Sequence, residues 1–137
     1  MLREAAFYFL RHGETDWNLR KVVQGQIDVP LNATGLAQAR SARDILCDTK
    51  IRTICCSPLD RALHTAKIVN EIAQRPIEVI DGLKEVGFGH AEGQVGGSWF
   101  ADWKRGAANP EGAETYSSFI QRALDAVNEA LMRPGPA

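Results

Sequence analysis

Short apolar runs alternate along the chain with longer stretches in which apolar residues recur at helical spacing. Residues 5–10 form a continuous apolar and aromatic run, which predicts a strand buried on both faces. Residues 53–56 predict a second buried strand, and the alternating residues 76–80 predict a third. The helical spacing predicts helices over residues 34–46, 58–72 and 115–133.

The start of the second helix carries the clearest local signal. Ser57 is a favourable N-cap residue, Pro58 suits the first helical position, and Asp60 completes a capping box. We therefore expect this helix to begin directly after Ser57, at the end of the second strand.

Two long segments lack a sustained period and contain many glycines. Residues 11–32 predict a loop directly after the first strand, and residues 81–114 predict a longer loop with a short helical piece around residues 99–104. A loop as long as the second is usually functional in a compact domain.

The predicted elements follow the order strand, helix, strand, helix, strand, loop, helix. This alternation predicts an α/β fold with a mostly parallel sheet, and the length of 137 residues suits a single domain. Ligands of such sheets bind beyond the carboxyl ends of the strands. The residues that follow Leu10 and Cys56 are therefore the expected place for a functional site.

The charge balance and the cysteines narrow the class of protein. The 16 basic and 17 acidic residues give a net charge of −1, which argues against a nucleic-acid partner but leaves room for a small anion. The longest apolar run is residues 5–10 and Glu4 precedes it, so we expect neither a membrane span nor a signal peptide. Cys47, Cys55 and Cys56 make a poor disulfide framework, which favours a reducing, cytoplasmic compartment.

The residues directly after the first predicted strand combine an arginine, a histidine and a glycine. Arg11 offers a planar fork of donors suited to phosphate oxygens, and a neutral His12 has a ring nitrogen that can act as a nucleophile. Gly13 lets the backbone turn and approach a ligand closely. Taken alone, three residues match by chance too often, and a merely hydrated loop is the better reading.

The longer pattern resembles the histidine phosphatase superfamily, which contains the cofactor-dependent phosphoglycerate mutases and many small phosphatases. The matching blocks follow the family order and cover nearly the whole chain. They are RHGETDWN at residues 11–18, QGQIDVPLN at 24–32, SPLDRA at 57–62, LKEVGFG at 83–89 and a weaker GAET at 112–115, with Phe119 and Arg122 beyond it. The resemblance implies a three-layer α/β/α fold of the phosphoglycerate mutase type.

The resemblance also assigns chemical roles to individual residues. His12 would attack phosphorus and become transiently phosphorylated, and Arg11 and Arg61 would hold the phosphate oxygens. Glu85 would protonate the leaving oxygen. Taken singly, Arg61 reads as a solvated helix arginine and Glu85 as a solvent-facing glutamate.

Further positions match the family at the phosphate or the substrate. They are Gly13, Asn18, Gln24 and Gly25. For the last three, ordinary loop hydrogen bonding explains the residues nearly as well. The third block departs from the usual family pattern at Gly87 and Ala91, which puts the shape of the leaving-group pocket in doubt.

These readings predict a phosphatase that hydrolyses phosphate monoesters of small molecules through a phosphohistidine. The alternatives are a phosphoglycerate mutase-type phosphotransferase and a non-catalytic module that binds phosphate or a phosphoprotein. We expect no cofactor and no metal, because no pair of histidines has metal-ligand spacing with a third ligand nearby. A small phosphorylated substrate is the expected partner, with a homodimer as an open alternative to a monomer.

One element of the family's site has no counterpart in the sequence. The family carries a second catalytic histidine in a His-Gly block at the end of a carboxyl-terminal strand, whereas this sequence has no histidine after His90. We therefore expect a domain that is incomplete at its carboxyl terminus. Loss of a strand beside the first one would expose backbone groups in the sheet, so we also expect the chain to be poorly stable or to associate.

Overall fold

Five helices and a two-stranded parallel sheet form the regular structure in the computed structural model, which describes residues 1–137. The helices are α1 (Asp16–Leu19), α2 (Ala33–Leu46), α3 (Asp60–Ala73), α4 (Trp99–Lys104) and α5 (Tyr116–Ala130). The strands are β1 (Ile54–Cys56) and β2 (Ile77–Val79), and short 3₁₀ turns span Asp81–Leu83 and Gly89–Ala91. The three predicted longer helices, the short helix at residues 99–104 and two of the three strands are confirmed.

The sheet lies between α5 and α3. Strand β1 pairs in parallel with β2, with Cys55 opposite Glu78, and α3 packs on both strands with α2 outside it. On the other face, Cys55 packs against a buried cluster of Ile80, Ala126 and Ala130. Because successive strand residues point to opposite faces, one short sheet supports helices on both sides. This arrangement agrees with the predicted α/β class.

The long segment between β2 and α5 is ordered by a core of its own. Val86, Phe88, Ala91 and Trp103 are buried together, and the Phe88 and Trp103 rings meet edge to face with centroids 5.0 Å apart. The Trp103 indole N–H donates to the carbonyl of Glu114 at 2.8 Å, which satisfies its polar atom inside the core. This core gives the segment between β2 and α5 a defined fold.

The predicted N-cap of α3 is wrong. The helix begins at Asp60 with Leu59 at the N-cap, and no side chain of the cap residue accepts a helix N–H. Ser57 is buried before the helix instead. The backbone N–H of Asp60 donates to the Asp28 carboxylate at 2.6 Å, so a residue from the distant loop performs the capping that the local sequence assigned to Ser57.

The predicted buried strand at residues 5–10 is also wrong. The apolar side chains of residues 5–10 are exposed. The run makes one backbone hydrogen bond to another part of the chain, in which the N–H of Tyr8 donates to the carbonyl of Ala137 at 2.9 Å. On the far side of residues 134–137, Arg52 N–H donates to the carbonyl of Pro136. Residues 134–137 therefore lie between the run and Arg52, in the position that a pairing strand would occupy. Without a ladder of backbone hydrogen bonds, residues 5–10 do not form a strand.

Two smaller differences concern loop and helix ends. The predicted loop at residues 11–32 contains the single turn α1, which Thr15 and Asn18 close with a reciprocal capping box. Helix α5 ends at Ala130, three residues before the predicted end at Arg133, and the chain turns there. With 15 residues, α5 is the longest helix, and none of the helices combines the length and the apolar character needed to cross a membrane.

We expect the 137-residue chain to self-associate through the exposed run at residues 5–10. Phe9 is 86% exposed, and together with Phe7, Tyr8 and Leu10 it gives the run four exposed large apolar side chains, which favour burial against a second copy. Sedimentation velocity over a concentration series should show reversible association that Phe9→Lys weakens. Ile45→Lys on α2, where the side chain is 77% exposed, is the matched control and should leave association unchanged. A concentration-independent monomer would contradict this expectation.

Candidate active site

His12 presents one ring nitrogen that no protein group uses. Its ring is half-buried, and Nδ1 lies 2.6 Å from the carbonyl oxygen of Gly13. A carbonyl can only accept, so Nδ1 carries the proton and donates it. The neutral ring therefore keeps a lone pair on Nε2, which is the form a nucleophilic histidine needs.

The surroundings keep His12 neutral at a lower pH than usual. Burial of the ring lowers the pKa of His12, and the positive charges of Arg61 and Arg11 lower it further. The hydrogen bond to the Gly13 carbonyl and the charge of Glu85 oppose this shift. The predicted nucleophile His12 therefore lies within electrostatic range of both predicted arginines and of the predicted acid Glu85.

Two glycines bring the backbone after His12 against α2. A Cβ at Gly13 would overlap the carbonyl oxygen of Gly35, and a Cβ at Gly35 would overlap the carbonyl oxygen of Glu14. On the other side, the Gly13 N–H donates to the Thr65 hydroxyl of α3 at 3.2 Å. The turn that carries His12 is thus held between two helices at a separation that only glycine permits.

Arg61 is a buried cation, which makes the reading of a solvated helix arginine wrong. The residue is 2% exposed, and its two terminal nitrogens donate to the carbonyls of Ile27 and Gly25 at 2.7 and 2.6 Å. Burial lowers the pKa of Arg61, while the charges of Glu85, Asp28 and Glu92 oppose that shift. The guanidinium fastens the loop that follows Gln24 to α3 and holds a positive charge beside His12.

Asn18 and Gln24 make the local hydrogen bonds that the loop interpretation expected. The Asn18 side chain accepts from the backbone N–H of Thr15 at 3.0 Å, and the Thr15 hydroxyl bonds to the buried Gln24 amide. Gly25 adopts a φ of +52°, and a Cβ there would overlap the Glu92 carboxylate. These contacts shape the loop, and they do not prevent the same side chains from lining a ligand cavity.

One cavity of about 270 Å³ brings most of the predicted site residues together. Its polar side is formed by Arg11, Asn18, Gln24, Gly25 and Glu85. Its apolar side is formed by Val23, Phe88, Trp99 and Phe100, with Gly96 and Gly97 at the rim. His12, Gly13 and Arg61 are not among the residues that line it. The charge of Glu85 nevertheless acts on both His12 and Arg61.

The sequence reads Trp99 as a packing or pocket-wall residue, which agrees with its place in the lining, but it singles out neither Phe88 nor Phe100. Phe88 and Trp99 meet edge to face at 5.4 Å, and Trp99 and Phe100 at 6.0 Å. The only sequence signal was the presence of aromatic residues within a glycine-rich segment. No period or spacing assigns such residues to a cavity, because the fold of the segment decides which of them face it.

The carboxylate of Glu85 stands at the cavity on a backbone that is held from several directions. The side chain is exposed, and its Oε1 accepts the backbone N–H of Val86 at 2.9 Å. Its carbonyl accepts from the Gln26 amide at 3.1 Å and from Arg122 at 3.3 Å. The exposed side chain agrees with the reading of Glu85 as a solvent-facing glutamate, and the same side chain lines the cavity.

The other histidines stay outside the cavity lining. His90 lies at the surface with Nδ1 3.3 Å from the Glu111 carboxylate, which does not favour contact with a substrate. No three side chains of histidine, cysteine, aspartate or glutamate are grouped to hold a metal ion, and the expected absence of a metal stays a prediction. A larger, shallower depression of about 430 Å³ over α5 contains none of the predicted site residues.

We expect the His12 ring to titrate below the ordinary histidine value of 6.5, with a midpoint measurable by NMR. Arg11→Met removes a cation and should move the midpoint up, whereas Glu85→Gln removes an anion and should move it down. Between the lowered pKa of His12 in the folded state and its unfolded value of 6.5, the folded state binds fewer protons than the unfolded state. The contribution of His12 to the free energy of unfolding therefore declines as the pH falls below 6.5. A midpoint at or above 6.5 would contradict the expected effect of burial.

Comparison with known proteins gives consistent matches. Residues 7–136 match the model of the histidine phosphatase superfamily (branch 1). The chain is 30% identical over 134 residues to the adenosylcobalamin/alpha-ribazole phosphatase of Escherichia coli, covering 89% of this chain and 66% of that protein. It is 49% identical over 88 residues to the uncharacterized phosphatase PhoE of Bacillus subtilis, covering 64% of this chain and 46% of that protein.

Solved structures agree with the sequence comparison. The structure of YhfR from Bacillus stearothermophilus matches with a TM-score of 0.82 at 31% identity, covering 90% of this chain and 66% of that one. A mycobacterial glucosyl-3-phosphoglycerate phosphatase matches with a TM-score of 0.78 at 28% identity, covering 90% and 63%. The chain spans two thirds or less of the length of these relatives. The matched family model, the fold and the grouping of His12 with two arginines lead to one conclusion: the chain belongs to the histidine phosphatase superfamily.

Proposed function

We propose that the chain carries the nucleophile and the proton donor of a phosphomonoester hydrolase that works through a phosphohistidine. The observation that carries this proposal is the neutral His12 ring with a free Nε2, held beside Arg11 and Arg61 and electrostatically close to Glu85. A cation-lined site stabilises the dianion of a phosphate monoester, and a neutral imidazole can attack its phosphorus.

In the proposed first step, Nε2 of His12 forms a bond to phosphorus while the bond between phosphorus and the leaving oxygen breaks. Glu85 donates its proton to that oxygen, so that an alcohol leaves rather than an alkoxide. Arg11, which lines the cavity, holds the non-bridging oxygens. Arg61 makes two hydrogen bonds to loop carbonyls and contributes its charge and its remaining N–H groups.

In the second step, water attacks the phosphorus of phospho-His12 and the bond to Nε2 breaks. The Glu85 carboxylate takes the proton from the attacking water, and phosphate leaves. His12 returns to its neutral form and Glu85 to its protonated form. The net reaction converts one phosphate monoester and one water into an alcohol and inorganic phosphate.

The relatives support a small phosphorylated substrate. One is named an adenosylcobalamin/alpha-ribazole phosphatase and another a glucosyl-3-phosphoglycerate phosphatase. These relatives and PhoE are named phosphatases, which favours hydrolysis, whereas other matched relatives are named probable phosphoglycerate mutases, which keeps mutase-type transfer as the alternative. The proposed setting is the cytoplasm, supported by the three free cysteines, and a homodimer is proposed from the exposed run at residues 5–10.

We expect the complete gene product to hydrolyse 4-nitrophenyl phosphate and the His12→Ala variant to lose at least about 1,000-fold in kcat/KM, since the nucleophile is removed. Acid-quenched samples should contain phosphohistidine only when His12 is present. His64→Ala is the matched control, because His64 lies on α3 outside the cavity lining, and should retain activity.

The outcomes of this experiment separate the alternatives. Equal turnover by the parent protein and His12→Ala would contradict the proposal. Phosphate binding without any phosphohistidine would instead favour the non-catalytic module. Transfer of the phosphoryl group to an added phosphoglycerate in preference to water would favour the mutase.

The aromatic side of the cavity should favour flat leaving groups. Trp99 and Phe100 face the same space as Glu85, and a planar apolar group stacked there would be removed from water. Trp99→Leu keeps apolar bulk but loses the flat ring. We expect it to raise KM for 2-naphthyl phosphate by about 5-fold to 10-fold, consistent with roughly 1–1.5 kcal/mol for an aromatic contact.

The comparison for this prediction is glycerol phosphate, whose leaving group is small and polar. Its KM should change less than 2-fold in Trp99→Leu, a limit set at about 0.4 kcal/mol. Val95→Ala alters an exposed apolar residue of the same segment outside the cavity lining and should affect neither substrate. Equal changes in KM for both substrates would show that the ring has no selective contact.

A further inference from the structure

A bidentate ion pair between Glu114 and Arg122 encloses the segment that carries Glu85. The Nε of Arg122 donates to one Glu114 carboxylate oxygen at 2.7 Å, and Nη2 donates to the other at 2.7 Å. Each side chain is 25% exposed. This fork-to-fork geometry restricts orientation as well as distance, so both side chains have a defined direction.

The rest of the Arg122 guanidinium is bonded to the backbone that leads into Glu85. Its Nη1 donates to the carbonyls of Gly82 at 2.7 Å and Lys84 at 3.0 Å, and Nη2 donates to the carbonyl of Glu85 at 3.3 Å. With the two bonds to Glu114, these contacts employ all five N–H groups of the guanidinium. A lysine has neither the number nor the planar arrangement of donors to reproduce them.

Glu114 holds the backbone on the other side of Glu85. Its Oε2 accepts the N–H of Gly87 at 2.8 Å, and its own backbone N–H donates to the carbonyl of Gly87 at 2.8 Å. Its carbonyl accepts the indole N–H of Trp103, which joins the pair to the buried aromatic core. The chain is therefore fixed at Gly82 and Lys84 before Glu85, at Glu85 itself, and at Gly87 after it.

Arg122 makes more and shorter contacts than the other arginine near α5. Arg133, near the end of α5, makes only longer contacts of 3.6 and 3.7 Å with Glu78 and Glu129. Arg122, in contrast, directs three N–H groups at the carbonyls of one short segment, those of Gly82, Lys84 and Glu85. The Glu85 side chain has a single hydrogen bond of its own, to Val86 N–H, so its position depends on its backbone.

We propose that Glu114 and Arg122 are positioning residues that hold Glu85 where it can protonate the leaving group. The inference rests on the proposed function, in which Glu85 is the proton donor. A displacement of the donor by a fraction of an ångström lowers proton transfer far more than binding of the phosphate, which the arginines near His12 provide.

The direction of the pKa shifts agrees with a persistent pair. Hydrogen bonding to Arg122 lowers the pKa of Glu114, and the same contact raises the pKa of Arg122. The pair therefore stays ionised across neutral pH. Its contribution to stability is present above the ordinary glutamate range and is lost as the pH falls through the lowered pKa of Glu114.

The test compares two substrates that differ in their need for an acid. A 4-nitrophenolate leaves without protonation, whereas an alkoxide does not, so the ratio of kcat/KM for an alkyl phosphate to kcat/KM for 4-nitrophenyl phosphate reports proton donation. Both values come from the same sample, so the ratio is independent of the fraction of protein that is folded. The variants are Arg122→Lys and Glu114→Gln in the complete gene product, with Glu85→Gln as the benchmark.

We expect the ratio to fall at least about 10-fold in Arg122→Lys and Glu114→Gln, in the same direction as in Glu85→Gln, since general acids contribute factors of about 100 to 10,000. Arg133→Met, just beyond the end of α5, is the matched control and should keep the parent ratio. An unchanged ratio in both variants, together with a reduced ratio in Glu85→Gln, overturns the positioning role alone. An unchanged ratio in Glu85→Gln, or turnover independent of His12, overturns the proposed function and the positioning role together.

Discussion

The buried guanidinium of Arg61 is the contact on which the arrangement of the site depends. A charge with 2% exposure is costly unless its donors are satisfied, and here the carbonyls of Gly25 and Ile27 satisfy two of them. The same loop returns a contact to α3, because Asp28 accepts the backbone N–H of Asp60 at the helix start. The loop and the helix therefore fix one another reciprocally.

This reciprocal contact sets the chemistry of His12. The loop and α3 meet beside the turn at Gly13, which α2 approaches closely through Gly35. The buried positive charge of Arg61 and the burial of the ring both lower the pKa of His12. The hydrogen bond to the Gly13 carbonyl directs the proton to Nδ1. A structural requirement, the packing of a loop on a helix, thus also produces a neutral histidine with a free nitrogen.

The segment that carries Glu85 depends on a separate core. Phe88 and Trp103 give the segment between β2 and α5 an interior, which a glycine-rich stretch would otherwise lack. Glu114 and Arg122 then connect that core to the backbone around Glu85. The proposed nucleophile and the proposed acid are therefore held by different parts of the fold.

Local patterns along the chain were sufficient for most elements and for the chemistry of individual residues. Apolar periodicity located α2, α3, α5, β1 and β2, because burial on one face imposes that spacing. The family resemblance predicted roles for His12, Arg61 and Glu85, but three features needed the tertiary structure. Asp28 replaces Ser57 at the start of α3, residues 5–10 form no strand because no ladder reaches them, and Arg61 is buried rather than solvated.

The sequence by itself thus determined which residues form helices and strands and which side chains have the chemistry for phosphate. Only the tertiary structure decided their partners: the carbonyls that hold Arg61, the aromatic wall formed by Phe88, Trp99 and Phe100, and the five contacts of Arg122. The physical reason is that periodicity and capping act within a few residues of the chain. Hydrogen bonds, burial and charge effects depend on distances in space between residues that are far apart in sequence.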